Sequence, residues 1–177
     1  MQRFNFLLII GLIILLSSCS KEVKKESIII EKKLGSQAIE AFNEGKKALE
    51  EGDSLFAAKK FNEVEILFPQ SDLAPRSLLM AAYAYYFQDY YQDAVAELQR
   101  FLRVYPLHEN IDYAYYLLAV CYYEQIVDEK KDLQSIIKAK QTFNKVISDF
   151  PNTDYAIDAK YKINLINNLL ASKEMYV

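Results

Sequence analysis

One spacing pattern recurs three times along this chain of 177 residues and constrains its fold more than any other feature. Each copy has an alanine, a phenylalanine or leucine four positions later, and a proline twelve positions after the alanine that is always preceded by an aromatic residue. The three copies are Ala57-Phe61-Pro69, Ala94-Leu98-Pro106 and Ala139-Phe143-Pro151. Because residues four apart share one face of a helix, each copy predicts a helix with a small residue beside a large one. The residue before a proline is driven out of the helical region, so each helix is expected to end there.

The pattern resembles the second half of a tetratricopeptide repeat. Gly45, Ala82 and Ala119 fall at the small position of the first half, whereas the leading tryptophan of that repeat is absent. The resemblance implies an all-α fold, a right-handed superhelix (α-solenoid) of about three and a half tetratricopeptide repeats. We predict seven helices, at residues 36–51, 54–68, 73–87, 91–104, 111–127, 135–150 and 154–173. Their predicted N-caps include Asp53, Asp72, Asn110 and Asp154.

The composition supports a helical protein and excludes several functional classes. Four glycines and four prolines in the whole chain are too few for a disordered chain or a β-sandwich. A formal net charge of −3 gives no electrostatic footprint for nucleic acid. One histidine and two widely spaced cysteines, without HExxH or CxxC motifs, leave too few ligands for a metal site.

The sequence contains none of the common catalytic motifs, so we do not expect an enzyme or a bound cofactor. His108 lies in the connection between two predicted repeats, where a turn or partner contact is the expected role. Cys121 lies in the middle of a predicted helix and is expected to be a buried, inert thiol.

The N-terminus has the features of an export signal. Arg3 precedes the apolar run Phe6–Leu16, which is shorter than the roughly 20 residues that a membrane-spanning helix needs. The following Leu-Ser-Ser-Cys sequence resembles the lipobox of bacterial lipoproteins, which implies cleavage before Cys19 and a covalent lipid on its sulfur. Ser20, in place of aspartate, suggests sorting to the outer membrane. Several acyl chains on Cys19 would anchor the chain firmly, whereas a single chain binds only marginally.

These features divide the chain into a signal peptide (1–18), a lipid-attached linker (19–34) and a tetratricopeptide-repeat domain (35–177). The linker alternates charges and is expected to be solvated, although Ile28–Ile30 is apolar enough to pack on the first helix or pair with a partner strand. The third repeat is longer than the second, and the extra residues map to a predicted surface loop at Asp128–Asp132.

Aromatic residues indicate a possible binding surface. Eleven of the fourteen tyrosines fall between Tyr83 and Tyr123. Tetratricopeptide arrays line their inner groove with the first helix of each repeat, and tyrosine and arginine are frequent in binding hot spots. The resemblance therefore predicts a peptide-binding groove, with Tyr85 and Tyr122 assigned to the core instead. The predicted groove residues are Phe42, Lys46, Arg76, Tyr83, Tyr86, Phe87, Tyr113, Tyr116 and Tyr123. The alternative is that these rings only pack between adjacent helices.

A longer segment narrows the family. Arg100–Tyr116 (RFLRVYPLHENIDYAYY) resembles the FIRL-x-P-x-HPNIDY-x-x-Y segment of the BamD family, with Glu109 in place of a proline. Phe150–Ala159 and Leu170–Glu174 are also similar to that family. The resemblance implies an outer-membrane lipoprotein, anchored on the periplasmic face, that acts as an adaptor of the β-barrel assembly machinery. Its implied partners are a BamA-like barrel insertase, the other lipoproteins of the complex, and unfolded β-barrel precursors bound through their aromatic-ended C-terminal strand.

Other interpretations stay open at this point. The family implies five repeats and this chain has about three and a half, so we expect a fragment that lacks most of the BamA-docking half. A tetratricopeptide-repeat lipoprotein of pilus or cell-wall assembly is the main alternative. A lipid-anchored enzyme subunit with chemistry around His108 is a less favoured one.

Overall fold

The computed structural model describes the backbone of residues 24–126 and 133–175 and the side chains of residues 35–126 and 133–171. Every regular element within these ranges is an α-helix. The helices are α1 (Lys24–Glu50), α2 (Ser54–Leu67), α3 (Leu73–Phe87), α4 (Tyr91–Val104), α5 (Ile111–Glu124), α6 (Leu133–Asp149) and α7 (Asp154–Met175). Contacts divide the chain into two units, Met1–Leu34 and Gly35–Val177. The all-α prediction is confirmed.

The largest difference from the predicted helices is at the start of α1. The helix begins at Lys24 instead of residue 36, so the part of the predicted linker that the structure describes is helical in its backbone. This includes Ile28–Ile30, for which the sequence leaves open packing on the first helix or pairing with a partner strand; the backbone of this segment is instead part of the first helix itself. Lysine and glutamate are good helix formers, and no proline interrupts the segment. A helix already nucleated can extend without an amphipathic stripe, and a single glycine such as Gly35 costs it only about 1 kcal/mol.

The recurring small-and-large pattern forms the core. Ala57, Phe61 and Val64 of α2 are fully buried, and the equivalent residues of the next two repeats are fully buried too. These equivalents are Ala94, Leu98 and Phe101 in α4, and Ala139, Phe143 and Val146 in α6. The alanine in each set leaves room for the neighbouring helix, and the larger side chains fill the space beside it.

Successive helices pack against each other along the domain. Each helix from α2 to α7 contacts the next one in the chain, and α5 also contacts both α3 and α7. In the first repeat the ring of Phe42 in α1 packs edge-on against Phe61 in α2, with 5.4 Å between ring centroids. Because α5 contacts both α3 and α7, the first helices of successive repeats are neighbours, as stacked repeats require.

The second helix of each repeat ends just before its proline, as predicted, but the N-terminal capping groups differ in part from those predicted. Asp53 caps α2 as expected, since its Oδ1 accepts a hydrogen bond from the N–H of Phe56 at 3.1 Å. Asp72 and Asn110 occupy N-cap positions without a side-chain capping bond. Asp154 is the first residue of α7 instead of its cap, and Thr153 Oγ1 accepts the N–H of Ala156 at 3.3 Å.

A polar network that the sequence did not predict joins the second helices of the first two repeats. The guanidinium of Arg100 in α4 donates to Glu65 Oε2 at 2.6 Å and to Asn62 Oδ1 at 3.0 Å, both in α2. It also donates to Glu97 within its own helix, and Asn62 Nδ2 donates to Glu97 Oε1 at 2.9 Å. Glu65 is only 8% exposed, so its carboxylate is buried beneath the partly exposed guanidinium of Arg100.

Several predictions fall outside the described residues. These are the signal peptide at 1–18, the lipid site Cys19 and the loop Asp128–Asp132. Within residues 24–126 and 133–175, no helix combines the length and the apolar character needed to cross a bilayer.

Candidate functional site

The helix α3 presents one row of side chains suited to binding. Arg76, Met80 and Tyr83 are spaced three to four residues apart, so they follow one face of the helix. The other side of α3 is closed into the core by residues such as Ala74, Leu78 and Ala82, which are all fully buried. This burial fixes the rotation of α3 and therefore determines which side chains remain accessible.

Arg76, Met80 and Tyr83 form one side of a surface cleft of about 330 Å³. The cleft lies where α3, α5, α7 and the connection before α5 meet. Its lining residues are Arg76, Leu79, Met80, Tyr83, Asn110, Tyr113 and Tyr155. Within the described ranges Arg76 is the only charged residue of this lining, and the other side chains are aromatic, aliphatic or amide groups.

Three tyrosines from α5 and α7 form a continuous aromatic wall. The ring centroids of Tyr113 and Tyr155 are 5.6 Å apart, and the ring of Tyr116 stacks on Tyr155 at 5.1 Å. The hydroxyl of Tyr116 donates to Asp158 Oδ2 at 2.7 Å. Tyr116 therefore joins α5 to α7 and packs against Tyr155, which lines the cleft.

Three phenols of this region, those of Tyr113, Tyr116 and Tyr86, stay protonated at physiological pH. Burial is the main reason that the pKa of Tyr113 lies well above its usual value. Burial and then the hydrogen bond to Asp158 raise the pKa of Tyr116. Burial raises the pKa of Tyr86 as well. These three side chains are therefore neutral and carry hydroxyl groups that can form hydrogen bonds.

A second aromatic group adjoins the cleft near the end of α3. The ring of Tyr83 lies 6.4 Å from Tyr86 and 6.3 Å from Phe87, measured between centroids. Phe87 is 56% exposed. Tyr86 also packs on Tyr91, whose hydroxyl donates to Asp89 Oδ1 at 2.6 Å in the turn between α3 and α4. This group extends the aromatic surface beyond the cleft.

Two of the predicted groove residues pack between helices. Phe42 is only 6% exposed because it fills the space against Phe61, and the Arg76 guanidinium lies over its ring at 5.6 Å. Phe42 therefore positions Arg76 and is not itself an open groove residue. Tyr123 lies against Phe143 at 6.4 Å, with Lys162 Nζ 4.6 Å from its ring centroid.

The remaining predictions are distributed as follows. Lys46 is exposed on α1 and does not line the cleft. Tyr122 is 8% exposed, with its hydroxyl accepting from Gln99 Nε2 at 2.9 Å, whereas Tyr85 is half-buried. Of the nine predicted groove residues, the structure brings Arg76, Tyr83 and Tyr113 together in the cleft.

Four residues of this lining are not among those predicted from the sequence, and Asn110 and Tyr155 are the most informative of them. Asn110 lies four positions after Pro106, and Tyr155 lies four positions after Pro151. Arg76 and Tyr113 each lie seven positions after the proline that ends the preceding repeat. Reading the same two offsets in every repeat would have found Asn110 and Tyr155 together. Leu79 and Met80 carry no comparable signal, because an apolar residue in a helix is usually a core residue.

His108 and Cys121 have structural roles. His108 Nδ1 accepts the N–H of Asn110 at 3.1 Å, and its ring packs edge-on against Phe101 with 5.3 Å between ring centroids. Cys121 is fully buried, and burial raises the pKa of its thiol to about 12. Among the described residues, no group of three or more His, Cys, Asp or Glu side chains is placed to hold a metal ion.

The fold is that of known tetratricopeptide domains. The chain is similar to the first TPR domain of Spaghetti (RPAP3), solved with an HSP90 peptide, with a TM-score of 0.58 at 18% identity over 77% of this chain and 95% of that one. It is also similar to the first TPR domain of human RPAP3, with a TM-score of 0.57 at 19% identity over 80% of this chain and 98% of that one. These likenesses confirm the tetratricopeptide architecture.

Sequence comparisons point to one family. The model of the YfiO family, described as an outer membrane lipoprotein, matches residues 35–177. The chain is 36% identical to the outer membrane protein assembly factor BamD of Caulobacter vibrioides, over 91% of this chain and 52% of that protein. It is 37% identical to BamD of Rickettsia prowazekii, over 99% of this chain and 67% of that protein. This chain thus spans about half to two-thirds of the length of these relatives, and it belongs to the BamD (YfiO) family of outer membrane lipoproteins.

Proposed function

We propose that this protein is an adaptor of the β-barrel assembly machinery that binds unfolded outer-membrane protein precursors in the cleft between α3, α5 and α7. The observation that carries the proposal is the aromatic cleft formed by first helices of successive repeats, in a chain of this family. The cleft tyrosines Tyr83, Tyr113 and Tyr155, with one nearby arginine, suit an extended peptide with aromatic side chains. Tyrosine offers a large, fairly rigid contact surface together with a hydroxyl group.

The proposal includes attachment to the outer membrane through a lipid on Cys19, with the repeats on the periplasmic side. The lipobox resemblance and the family description as an outer membrane lipoprotein support it. Anchoring would keep the cleft close to the membrane where barrels insert, which raises the effective concentration of a bound precursor there. A BamA-like insertase and the other lipoproteins of the complex are the proposed partners.

We place this function outside enzyme chemistry. His108, the residue that an enzyme hypothesis would use, already accepts a backbone hydrogen bond in a turn and packs on Phe101. The raised pKa of Cys121 keeps its sulfur in the thiol form, which is a poor nucleophile. The cleft residues themselves are suited to binding.

Peptide binding to single-residue variants tests the proposal. A fluorescently labelled peptide with the sequence of a barrel protein's last strand should bind the full chain, and Tyr83→Ala should weaken binding by about tenfold, the loss of about 1–2 kcal/mol typical of such a residue. Tyr161→Ala is the matched control, because Tyr161 is a 60% exposed tyrosine of α7 that does not line the cleft. Equal losses in the two variants, or no binding by the unmodified chain, would contradict the proposal.

Membrane attachment is tested separately. Cys19→Ser should move the protein from the outer-membrane fraction to the soluble periplasmic fraction, because the sulfur that carries the lipid is gone. A variant that still sediments with membranes would rule out this anchor.

A further inference from the structure

We propose that Arg76 recognises the free α-carboxylate at the C-terminus of a bound peptide, so that the cleft selects the end of a chain over an internal segment. This inference rests on the proposed function, since it specifies how a precursor would sit in the same cleft. It assigns to Arg76 a role in specificity that the aromatic residues alone cannot supply.

The guanidinium of Arg76 is available to bind an anion. It lies over the Phe42 ring at 5.6 Å, and no carboxylate within the described part of the chain forms an ion pair with it. Arg100 is the contrasting case, because its guanidinium is occupied by Glu65, Glu97 and Asn62. Arg76 is exposed and stacked on a buried ring, which leaves its N–H groups available to an anionic ligand.

The charge of the cleft is complementary to that of a carboxylate. Among the residues that the structure describes, no other charged side chain lines the cleft, so the one formal charge of this lining is positive. A guanidinium binds a carboxylate through two parallel hydrogen bonds, and stacking on Phe42 restricts its orientation before the ligand arrives. A carboxylate is therefore the group that this charge is best suited to bind.

A chain terminus fits the cleft in a way that an acidic side chain does not. Arg76 and Tyr83 lie on one face of α3, seven residues apart, which corresponds to about 10 Å along the helix. The last residue of a peptide carries its carboxylate and its side chain on the same Cα atom. It can therefore place the carboxylate on Arg76 and an aromatic side chain against Met80 and Tyr83. An internal aspartate or glutamate supplies the charge but not the apolar group.

The test compares two forms of one peptide. A ten-residue peptide labelled at its N-terminus and ending in phenylalanine is prepared as the free acid and as the C-terminal amide, and binding to the full chain is measured by fluorescence anisotropy. We expect the amide to bind about tenfold more weakly, because it loses the charge-assisted hydrogen bonds. Arg76→Gln should reduce binding of the acid to the level of the amide and leave binding of the amide unchanged.

The matched control is Arg103→Gln, which removes an exposed arginine of α4 that does not line the cleft. This variant should keep the full difference between acid and amide. Circular dichroism should show unchanged helix content in both variants, since both arginines are exposed.

Two outcomes would overturn the inference while leaving the proposed function intact. In the first, the acid and the amide bind the unmodified chain equally tightly, and Tyr83→Ala still weakens binding of both. In the second, an amidated peptide with an internal glutamate binds as tightly as the free acid. Failure of both peptide forms to bind would instead contradict the proposed function together with this inference.

Discussion

Gly45 of α1 and Phe61 of α2 are packed so closely that a β-carbon at position 45 would lie 2.8 Å from Cε1 of the Phe61 ring. Phe61 is fully buried and its ring also contacts Phe42, so it has little room to move. The absence of a side chain at Gly45 is therefore what allows these two helices to approach each other.

Gly45→Ala should accordingly destabilise the domain by about 1–2 kcal/mol, because overpacking outweighs the roughly 1 kcal/mol that alanine gains over glycine in a helix. Urea denaturation followed by circular dichroism measures the change. Gly35→Ala is the matched control in the same helix, since a β-carbon there meets no atom within 4 Å. It should be neutral or slightly stabilising, and a stabilised Gly45→Ala would show that the ring can move aside.

Ser77 offers a change in the opposite direction. It is fully buried, and its hydroxyl has no hydrogen-bond partner among the described residues. Ala114 and Ala159 occupy the same position in the next two repeats, eight residues after the proline. Ser77→Ala should therefore increase the free energy of unfolding by about 1 kcal/mol, since it removes an unsatisfied polar group. The converse change, Ala114→Ser, should decrease it, and a loss of stability in Ser77→Ala would reveal a partner for this hydroxyl.

The Arg100 network should couple the first two repeats. Arg100→Ala leaves Glu65, whose side chain is 11% exposed, without its cation, and we expect a loss of about 2–3 kcal/mol. Glu65→Ala should cost less in the Arg100→Ala background than in the unmodified chain. A double-mutant cycle measured by urea denaturation gives this coupling. Additive losses would mean that the two charges do not stabilise each other.

Stability should decrease in alkaline solution because of Cys121. Burial raises the pKa of its thiol from 9.0 to about 12, so the folded chain retains this proton at a pH where the unfolded chain releases it. The stabilising contribution is complete below pH 9 and is lost as the pH rises towards 12. The slope is about 1.4 kcal/mol per pH unit.

The Cys121→Ala variant isolates the contribution of this thiol to the pH dependence of stability. Tyr113 and Tyr116, whose pKa values are also raised, contribute mainly above pH 10. Between pH 9 and 10 the variant should therefore show a flatter dependence of unfolding free energy on pH than the unmodified chain. Identical slopes would mean that the Cys121 thiol ionises equally easily in both states.

The sequence by itself determined the helices, their approximate ends and the buried surface of each second helix. These are local properties: residues such as Ala57 and Phe61 share a helical face whatever surrounds them, and the residue before Pro69 cannot continue a helix. The same locality explains the errors at Lys24 and Asp154, since the helix start and the capping group depend on small differences between competing hydrogen bonds.

Only the tertiary structure decided which side chains form the cleft. Arg76, Tyr113 and Tyr155 come from three helices that are not consecutive in sequence, and their proximity depends on how each helix is rotated about its axis. That rotation is fixed by the packing of the opposite face of each helix. The same packing buries Phe42, so its ring lies beneath the Arg76 guanidinium instead of lining the cleft. Local periodicity predicts which residues share a helical face, but the spatial neighbours of that face are set by the packing of the whole domain.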